Sequence, residues 1–171
     1  MEKFEKAIIN WYNKIKIVLN DREEKEDEYI KCNFLLENTE YHPDFVINMV
    51  NVCGTYNVCG GNPDLEDSYY TGVLSIDLIS NQIVATWLIE GEHKQLGYGF
   101  VFNNTLVLSF SYMDDDKNMY NGVVAYEFLS SDIIVGKWTE EVAAENAFEV
   151  GRKLSPEELG QPYPEDYFSV N

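Results

Sequence analysis

Apolar and polar residues alternate along residues 52–153 in short runs that end at turn residues. Alternation with a period of two is typical of strands that bury one face. Eight such runs are predicted, at residues 52–59, 69–79, 82–90, 94–102, 105–112, 120–129, 133–140 and 147–153. The breaks include a Gly-Gly-Asn-Pro-Asp loop at 60–64 and the pair Asn103-Asn104, which tolerates the positive φ of a tight hairpin. The pattern therefore predicts an antiparallel sheet.

Eight strands in hairpin succession would leave two exposed edges if the sheet stayed open. Pairing the last strand with the first removes both edges, so we expect a closed up-and-down barrel. The predicted fold class is mainly β: an eight-stranded antiparallel barrel over residues 51–154. Glycines recur inside the strands, and strand curvature is their simplest explanation.

The first fifty residues follow a different pattern. Residues 2–19 place apolar side chains three or four apart, which predicts an amphipathic helix packed on the barrel. Residues 21–28 contain six acids and two bases and fit either the helix end or a solvated loop. Residues 29–36 are compatible with a strand or a second helix, and Phe45–Val50 with a short helix. Residues 1–50 are therefore expected to be an extension of the barrel within one domain.

The last segment, residues 155–171, is expected to be a tail. It begins with Ser155-Pro156-Glu157-Glu158, which predicts a capped helical turn because serine precedes proline and a glutamate follows three residues later.

Charge narrows the classes of partner. The chain has 30 acidic against 12 basic side chains, a net charge of −18. Such a surface repels phosphate backbones and anionic lipid, so we expect no nucleic-acid and no membrane partner. A protein partner would be cationic or neutral. The simpler interpretation is that the acidity keeps the protein soluble.

The three cysteines, Cys32, Cys53 and Cys59, are an odd number with no CxxC pair. Cys53 and Cys59 would lie about 20 Å apart along one strand, too far to form a disulfide within it. Reduced thiols are therefore expected. The N-terminal residues do not resemble a signal peptide, and no apolar run approaches the ~20 residues of a membrane span. These features predict a cytoplasmic protein.

The sequence contains few of the residues that nucleophilic catalysis requires. Histidine-dependent nucleophilic catalysis has only His42 and His93 to draw on, and both fall in predicted turns with no nucleophile motif beside them. We expect no enzyme activity, no catalytic residues and no cofactor.

One acidic run has the residue types of a cation site. Asp114, Asp115 and Asp116, with Asn118, cluster oxygen atoms that calcium prefers, but the run lacks the central glycine and terminal glutamate of an EF-hand. A solvated hairpin loop is the favoured interpretation, and no metal site is predicted.

Aromatic side chains recur on what looks like one phase of the strands. The residues chosen as candidate barrel lining are Tyr56, Tyr70, Trp87, Tyr98, Phe110, Tyr126 and Trp138. In a small barrel these rings would simply fill the interior. The functional alternative is a cavity in which hydroxyl and indole groups orient a small apolar or aromatic ligand. The volume of the interior decides between these readings.

Several short motifs resemble a known family. They are Gly54-x-Tyr56-x-Val58-x-Gly60-x-Asn62-Pro63-Asp64, Tyr70-x-Gly72, Trp87, Gly97-x-Gly99, Gly122-Val123-Val124-x-Tyr126 and Gly136-x-Trp138-Thr139. Over residues 51–153 the chain resembles small bacterial calycin-type barrels, similar in style to avidins and lipocalins, some of which carry the name "fibronectin-binding protein". The resemblance implies an eight-stranded antiparallel barrel and little about function.

The prediction for function is non-enzymatic binding of a small apolar or aromatic ligand inside the barrel. The alternative is a protein-interaction module that uses the acidic surface or the N-terminal helix.

Overall fold

The computed structural model describes residues 44–62, 68–142 and 147–160. The predicted helix at 2–19, the open prediction at 29–36 and most of the tail lie outside these ranges. The strands are β1 (Gly54–Asn62), β2 (Ser68–Ile79), β3 (Gln82–Ile89), β4 (His93–Phe102), β5 (Thr105–Met113), β6 (Met119–Phe128), β7 (Ile133–Glu140) and β8 (Ala147–Lys153). A four-residue helix, α1 (Pro156–Leu159), follows β8 and carries the predicted serine cap.

Each strand pairs antiparallel with the next, and β8 returns to pair with β1. Across this last seam Tyr56 lies opposite Lys153 and Gly61 lies opposite Phe148. The prediction of a mainly β, closed, eight-stranded antiparallel barrel is therefore confirmed.

The two-residue turns of the β2–β3 and β4–β5 hairpins have positive φ at both residues. Ser80 and Asn81 have φ of 50° and 63°, and Asn103 and Asn104 have φ of 48° and 60°. Two-residue turns of this kind match the twist of the strands that they join. They fix the register of β2 with β3 and of β4 with β5, so the inner face is set by the turns as well as by the side chains.

The barrel has two unlike ends. We call the end with the β2–β3, β4–β5 and β6–β7 hairpins the closed end, and the other the open end. The closed half is packed with side chains that are at most 1% exposed: Tyr56, Leu74, Ile76, Ile83, Leu106 and Ile134. Burial of this apolar surface is the main source of stability in such a fold.

The segment that precedes β1 covers the closed end. Val52 is fully buried, and the Tyr56 hydroxyl donates to its carbonyl at 2.8 Å. The Phe45 ring packs on Phe128 with 6.2 Å between centroids. The Asn104 side chain accepts from the Ile47 N–H at 2.8 Å and donates to the Phe45 carbonyl at 3.0 Å. Residues 45–53 thus form a plug fastened to the β4–β5 hairpin.

The plug is not the short helix predicted at Phe45–Val50. The segment is irregular and turned. The Asn48 side chain accepts from the N–H groups of Val50 and Asn51, and the Asn51 side chain accepts from that of Asn48. Asparagine side chains that bond nearby backbone groups compete with helical hydrogen bonding, which explains the error.

The cysteine prediction also needs correction. Cys53 is free, but Cys59 is disulfide-bonded. The spacing along one strand excludes only a bond between Cys53 and Cys59, so it is compatible with the disulfide that Cys59 forms. In the part of the chain that the structure describes, no helix is long and apolar enough to cross a membrane.

Candidate functional site

The open half of the barrel contains a cavity of about 370 Å³. It is lined by side chains from the seven strands β2 to β8: Tyr70, Trp87, Ile89, His93, Gln95, Phe110, Tyr112, Val124, Tyr126, Trp138, Glu140 and Glu149. Small-molecule sites in proteins typically span roughly 300–1,000 Å³ and combine apolar walls with a few polar groups. The open half is therefore hollow on the scale of a small ligand, in contrast to the packed closed half.

Aromatic rings form the walls through edge-to-face and tilted contacts. The Phe110 ring lies 6.1 Å from Trp87 and 6.1 Å from Trp138, at interplanar angles of 64° and 80°. Tyr70 lies 6.3 Å from Trp138. Rings in such contacts hold one another in place, so the wall is preorganised.

A carboxylate lies at the centre of the polar groups. Glu149 is only 3% exposed and accepts hydrogen bonds from three ring side chains. The Tyr70 hydroxyl donates to Oε2 at 2.8 Å, the Trp87 indole N–H donates to Oε1 at 3.3 Å, and the Tyr126 hydroxyl also donates to Oε1. All three donors are uncharged.

Two glycines make room for this arrangement. In the sheet Glu149 lies opposite Gly60 on β1 and Gly136 on β7. A Cβ atom on Gly60 would overlap the end of the Tyr70 ring, and one on Gly136 would overlap the Tyr126 ring. Both phenols therefore reach Glu149 across positions without a side chain. This close approach is a second reason for glycine at the two positions, beside the strand curvature predicted from the sequence.

Burial governs ionisation in this cluster. Desolvation raises the pKa of Glu149, and the hydrogen bonds from Tyr126, Tyr70 and Trp87 oppose that rise. The pKa values of Tyr70 and Tyr126 are raised well above the usual range, first by burial and then by the negative charge of Glu149. Both phenols therefore remain protonated donors at neutral pH.

One buried donor in the cavity wall has no hydrogen-bond acceptor among the described residues. The Trp138 indole Nε1 is enclosed, and although the Tyr70 hydroxyl lies near it, no described group accepts from it with hydrogen-bond geometry. Buried N–H groups in proteins are nearly always paired, so an orphan in a cavity wall needs an explanation.

The rim is also acidic. The Tyr112 hydroxyl donates to Glu140 Oε2 at 2.8 Å, and its ring stacks on Tyr120 at 5.3 Å. Burial and then the bond to Glu140 raise the pKa of Tyr112. His93 and Gln95 complete this side of the cavity.

The structure brings together five of the seven residues predicted to line the barrel: Tyr70, Trp87, Phe110, Tyr126 and Trp138. Tyr56 points inward as expected but lies in the packed closed half, away from the cavity.

The prediction that Tyr98 lines the barrel is wrong, because this residue lies on the outer face and is 61% exposed. The inner positions of β4 include Gly97 and Gly99, where a Cβ would overlap the backbone of β5. Only glycine fits there, so Tyr98 and its neighbours Phe100 and Phe102 lie outside.

Sequence reasoning missed the polar residues of the cavity. Glu149, Glu140 and Tyr112 line it but were not among the candidates. A signal was present for Glu149, since it shares the inward phase of β8 with Ala147 and Gly151. An acid on the inner phase of a barrel strand is unusual enough to mark a site.

The Asp114 loop is held by its own hydrogen bonds. Asp114 accepts from the Asn118 backbone N–H at 2.8 Å and from its side-chain amide at 3.0 Å, and these bonds lower the pKa of Asp114. Among the described residues no group of three or more histidine, cysteine or acidic side chains is arranged to hold a metal ion.

Comparison with known proteins shows the fold alone. No family model matches the chain, and no curated protein matches it. A solved structure described as a redesigned beta barrel, b11L5F_LGL, is 13% identical with a TM-score of 0.53, covering 65% of this chain and 98% of that one. Another, a redesigned beta barrel, mFAP1, bound to DFHBI, is 16% identical with a TM-score of 0.50, covering 61% of this chain and 97% of that one.

Proposed function

We propose that this protein binds a small, mostly apolar or aromatic ligand in the open half of the barrel and does so without catalysis. The observation that carries the proposal is the 370 Å³ aromatic cavity with the unpartnered Trp138 N–H in its wall. A ligand that supplies a hydrogen-bond acceptor would satisfy that donor. A cavity that served only packing would gain stability by being filled.

Two resemblances support this proposal. The mFAP1 barrel shares the closed antiparallel architecture and holds DFHBI, so the architecture is compatible with a bound small molecule. The up-and-down connectivity also agrees with the calycin-like family that the glycine and aromatic motifs resemble. The role as a binding protein rather than an enzyme rests on the described residues of the cavity lining, which present rings, two carboxyls and His93 but no serine, cysteine or lysine.

The test is a titration with the neutral probe N-phenyl-1-naphthylamine, followed by probe emission and tryptophan quenching. We expect saturable binding that is lost when the cavity is filled by Val124→Phe. Val123→Phe is the matched control, because Val123 is the neighbouring residue on β6 and faces outward with 42% exposed. Non-saturable binding to the folded protein, or equal binding by both variants, would contradict the proposal. If Val124→Phe does not fold, Trp138→Phe is used to assign the tryptophan that the probe quenches. Weaker quenching in this variant supports binding in the cavity, and unchanged quenching contradicts it.

The alternative function, a protein-interaction module, stays a prediction. It partly relies on the N-terminal helix predicted from the sequence, which lies outside the described residues. Its other basis is the acidic surface, with a net charge of −18. A pull-down whose yield collapses as salt rises would favour an acidic interaction surface. A cytoplasmic location remains a proposal too, although the disulfide at Cys59 removes the support from reduced thiols.

A further inference from the structure

The charges of the cavity are all of one sign at its polar centre. Glu149 lies deep and Glu140 lies at the rim, and no lysine or arginine is among the described residues that line the cavity. Buried carboxylates in proteins are normally paired with a cation, because taking an unpaired charge out of water is costly. Glu149 has hydrogen bonds but no such partner. The cavity therefore lacks the positive group that its carboxylate would attract.

The hydrogen bonds to Glu149 leave one acceptor position open. An ionised carboxylate offers about four lone-pair sites. Three are used, by the hydroxyls of Tyr70 and Tyr126 and the indole of Trp87. The remaining site can accept a bond from a group inside the cavity. A charged N–H donor would form the strongest bond there.

The walls suit a cation as well. Electron-rich ring faces attract ammonium groups within about 6 Å of the ring centroid, and tryptophan and tyrosine do so best. Trp87, Tyr70, Tyr126 and Trp138 surround the space next to Glu149. The net charge of −18 draws cations toward the protein and repels anions. A carboxylate or phosphate ligand would meet Glu149 and Glu140 with the same sign of charge.

We propose that the ligand of this cavity is a small organic cation: a protonated amine, carried on an aromatic or apolar body, that donates to Glu149 and lies against the surrounding rings. This inference rests on the proposed function and names the class of ligand that the cavity takes. The amine end lies deep in the barrel and the apolar body fills the space between Phe110 and the rim.

Binding of an amine is expected to depend on pH. The cationic ligand favours the ionised form of Glu149, whose pKa burial raises. The other groups that face Glu149 are uncharged donors, and Glu140, His93 and Tyr112 are the other titratable side chains among the described residues that line the cavity. Affinity for the amine should therefore rise as pH increases from 4.5, whereas affinity for a neutral ligand of the same shape should stay constant.

Three probes with one aromatic body test the inference: 2-phenylethylamine, 2-phenylethanol and phenylacetate, which are cationic, neutral and anionic at pH 7. By calorimetry we expect the amine to bind at least about tenfold more tightly than the alcohol, since a charge-assisted bond replaces a neutral one. Glu149→Gln should remove this preference, so that the amine and the alcohol bind within about threefold of each other. Glu92→Gln, an equal change of charge at an exposed residue of the β3–β4 hairpin, should keep the preference.

The outcomes separate the inference from the function on which it rests. Equal affinity for the alcohol and the amine, or tighter binding of phenylacetate, would overturn the cationic ligand and leave the binding cavity in place. Binding of N-phenyl-1-naphthylamine without binding of 2-phenylethylamine would also overturn the cationic ligand and leave the binding cavity in place. Failure of all four compounds to bind the folded wild type would overturn both. If Glu149→Gln does not fold, the wild-type affinities at pH 4.5 and pH 8 decide, and a flat profile for the amine contradicts the inference.

Discussion

The closed and open ends of this barrel are built from the same strands, and the same alternation of inward and outward residues runs through both. The closed end is nevertheless packed, whereas the open end contains a cavity. At the closed end, branched aliphatic side chains from facing strands meet and residues 45–53 cover them. At the open end the cavity is lined largely by rings, and those of Tyr70 and Tyr126 cross Gly60 and Gly136 to reach Glu149. Alternation identifies the inner face of a barrel, but the sizes and polarity of the residues along each strand decide whether that face encloses a core or a cavity.

Two fully buried tyrosines show the difference on a single residue type. Tyr56 and Tyr126 are both 0% exposed. The hydroxyl of Tyr56 donates to the Val52 carbonyl and ties the plug to β1. The hydroxyl of Tyr126 donates to Glu149 and orients a carboxylate toward the cavity. Burial alone therefore does not separate a structural tyrosine from one that belongs to a site, whereas the nature of its acceptor does.

The largest effect is expected from emptying the closed end. Leu106→Ala should lower the free energy of unfolding by about 2–5 kcal/mol, because a fully buried leucine leaves a void that its neighbours do not refill. Urea denaturation measures the loss. Leu96→Ala is the control, since Leu96 is 53% exposed on β4 and should change stability by less than about 0.5 kcal/mol. Equal losses for both variants would mean that the closed end is not the packed core described above.

The open end should respond to Gly60→Ala through its geometry. The added methyl group collides with the Tyr70 ring, and we expect a loss of about 1–3 kcal/mol in stability together with weaker binding of the cavity probe. Denaturation and the fluorescence titration measure the two effects. Gly160→Ala is the comparison, because a Cβ there makes only ordinary contacts at 3.6 Å and beyond. Unchanged probe binding in Gly60→Ala would show that Tyr70 does not position the site.

A titration distinguishes the two ends without altering their packing. The native state holds the Glu149 proton above the ordinary pKa of 4.5, whereas the unfolded chain releases it there. The unfolded state therefore binds fewer protons in that window, and stability should fall as pH rises from 4.5 toward the raised native pKa. Glu149→Gln should abolish this part of the slope in denaturation measured across pH. Asp115→Asn, at an exposed loop residue, should leave the slope as it is.

The smallest effect is expected just beyond the closed end, where Glu158 in α1 pairs with Arg152 at 2.8 Å and completes the serine cap. The bond from Arg152, followed by that from the Ser155 backbone, lowers the pKa of Glu158 to about 2. The native state therefore favours the charged form, so this stabilisation is present above pH 4.5 and is lost as pH falls through about 2. Because the pair is exposed, Glu158→Gln should cost at most about 1 kcal/mol at pH 7. A loss as large as that of Leu106→Ala would contradict this ranking.

The sequence carried most of the fold because its turns and alternation agree. Asn103-Asn104 set a hairpin that the structure confirms, and the eight predicted runs correspond to β1–β8. The phase of β4 was wrong because Tyr98 and Phe100 resemble core residues, whereas the tight approach of β5 admits only glycine inside. That approach depends on how the barrel coils, which no local pattern records.

The cavity was harder to predict than the strands. Five of its rings could be chosen from alternation and residue type. Glu149 was missed although it shares the inward phase of β8, because an acid in a strand is normally expected on the solvent side and its three donors come from β2, β3 and β6. The volume depends on where rings from different strands stop relative to one another, and that is a property of the assembled barrel.

The seam between β1 and β8 has a consequence for how the molecule is made. Tyr56 and Lys153 are neighbours across it although nearly the whole barrel sequence separates them. During synthesis the first strand must wait, with one edge bare, until the last has left the ribosome. Glu149 arrives on that last strand, so a truncated nascent chain lacks both the closure and the acid that Tyr70 and Tyr126 hold. The strand that closes the barrel, β8, therefore also supplies the carboxylate of the cavity.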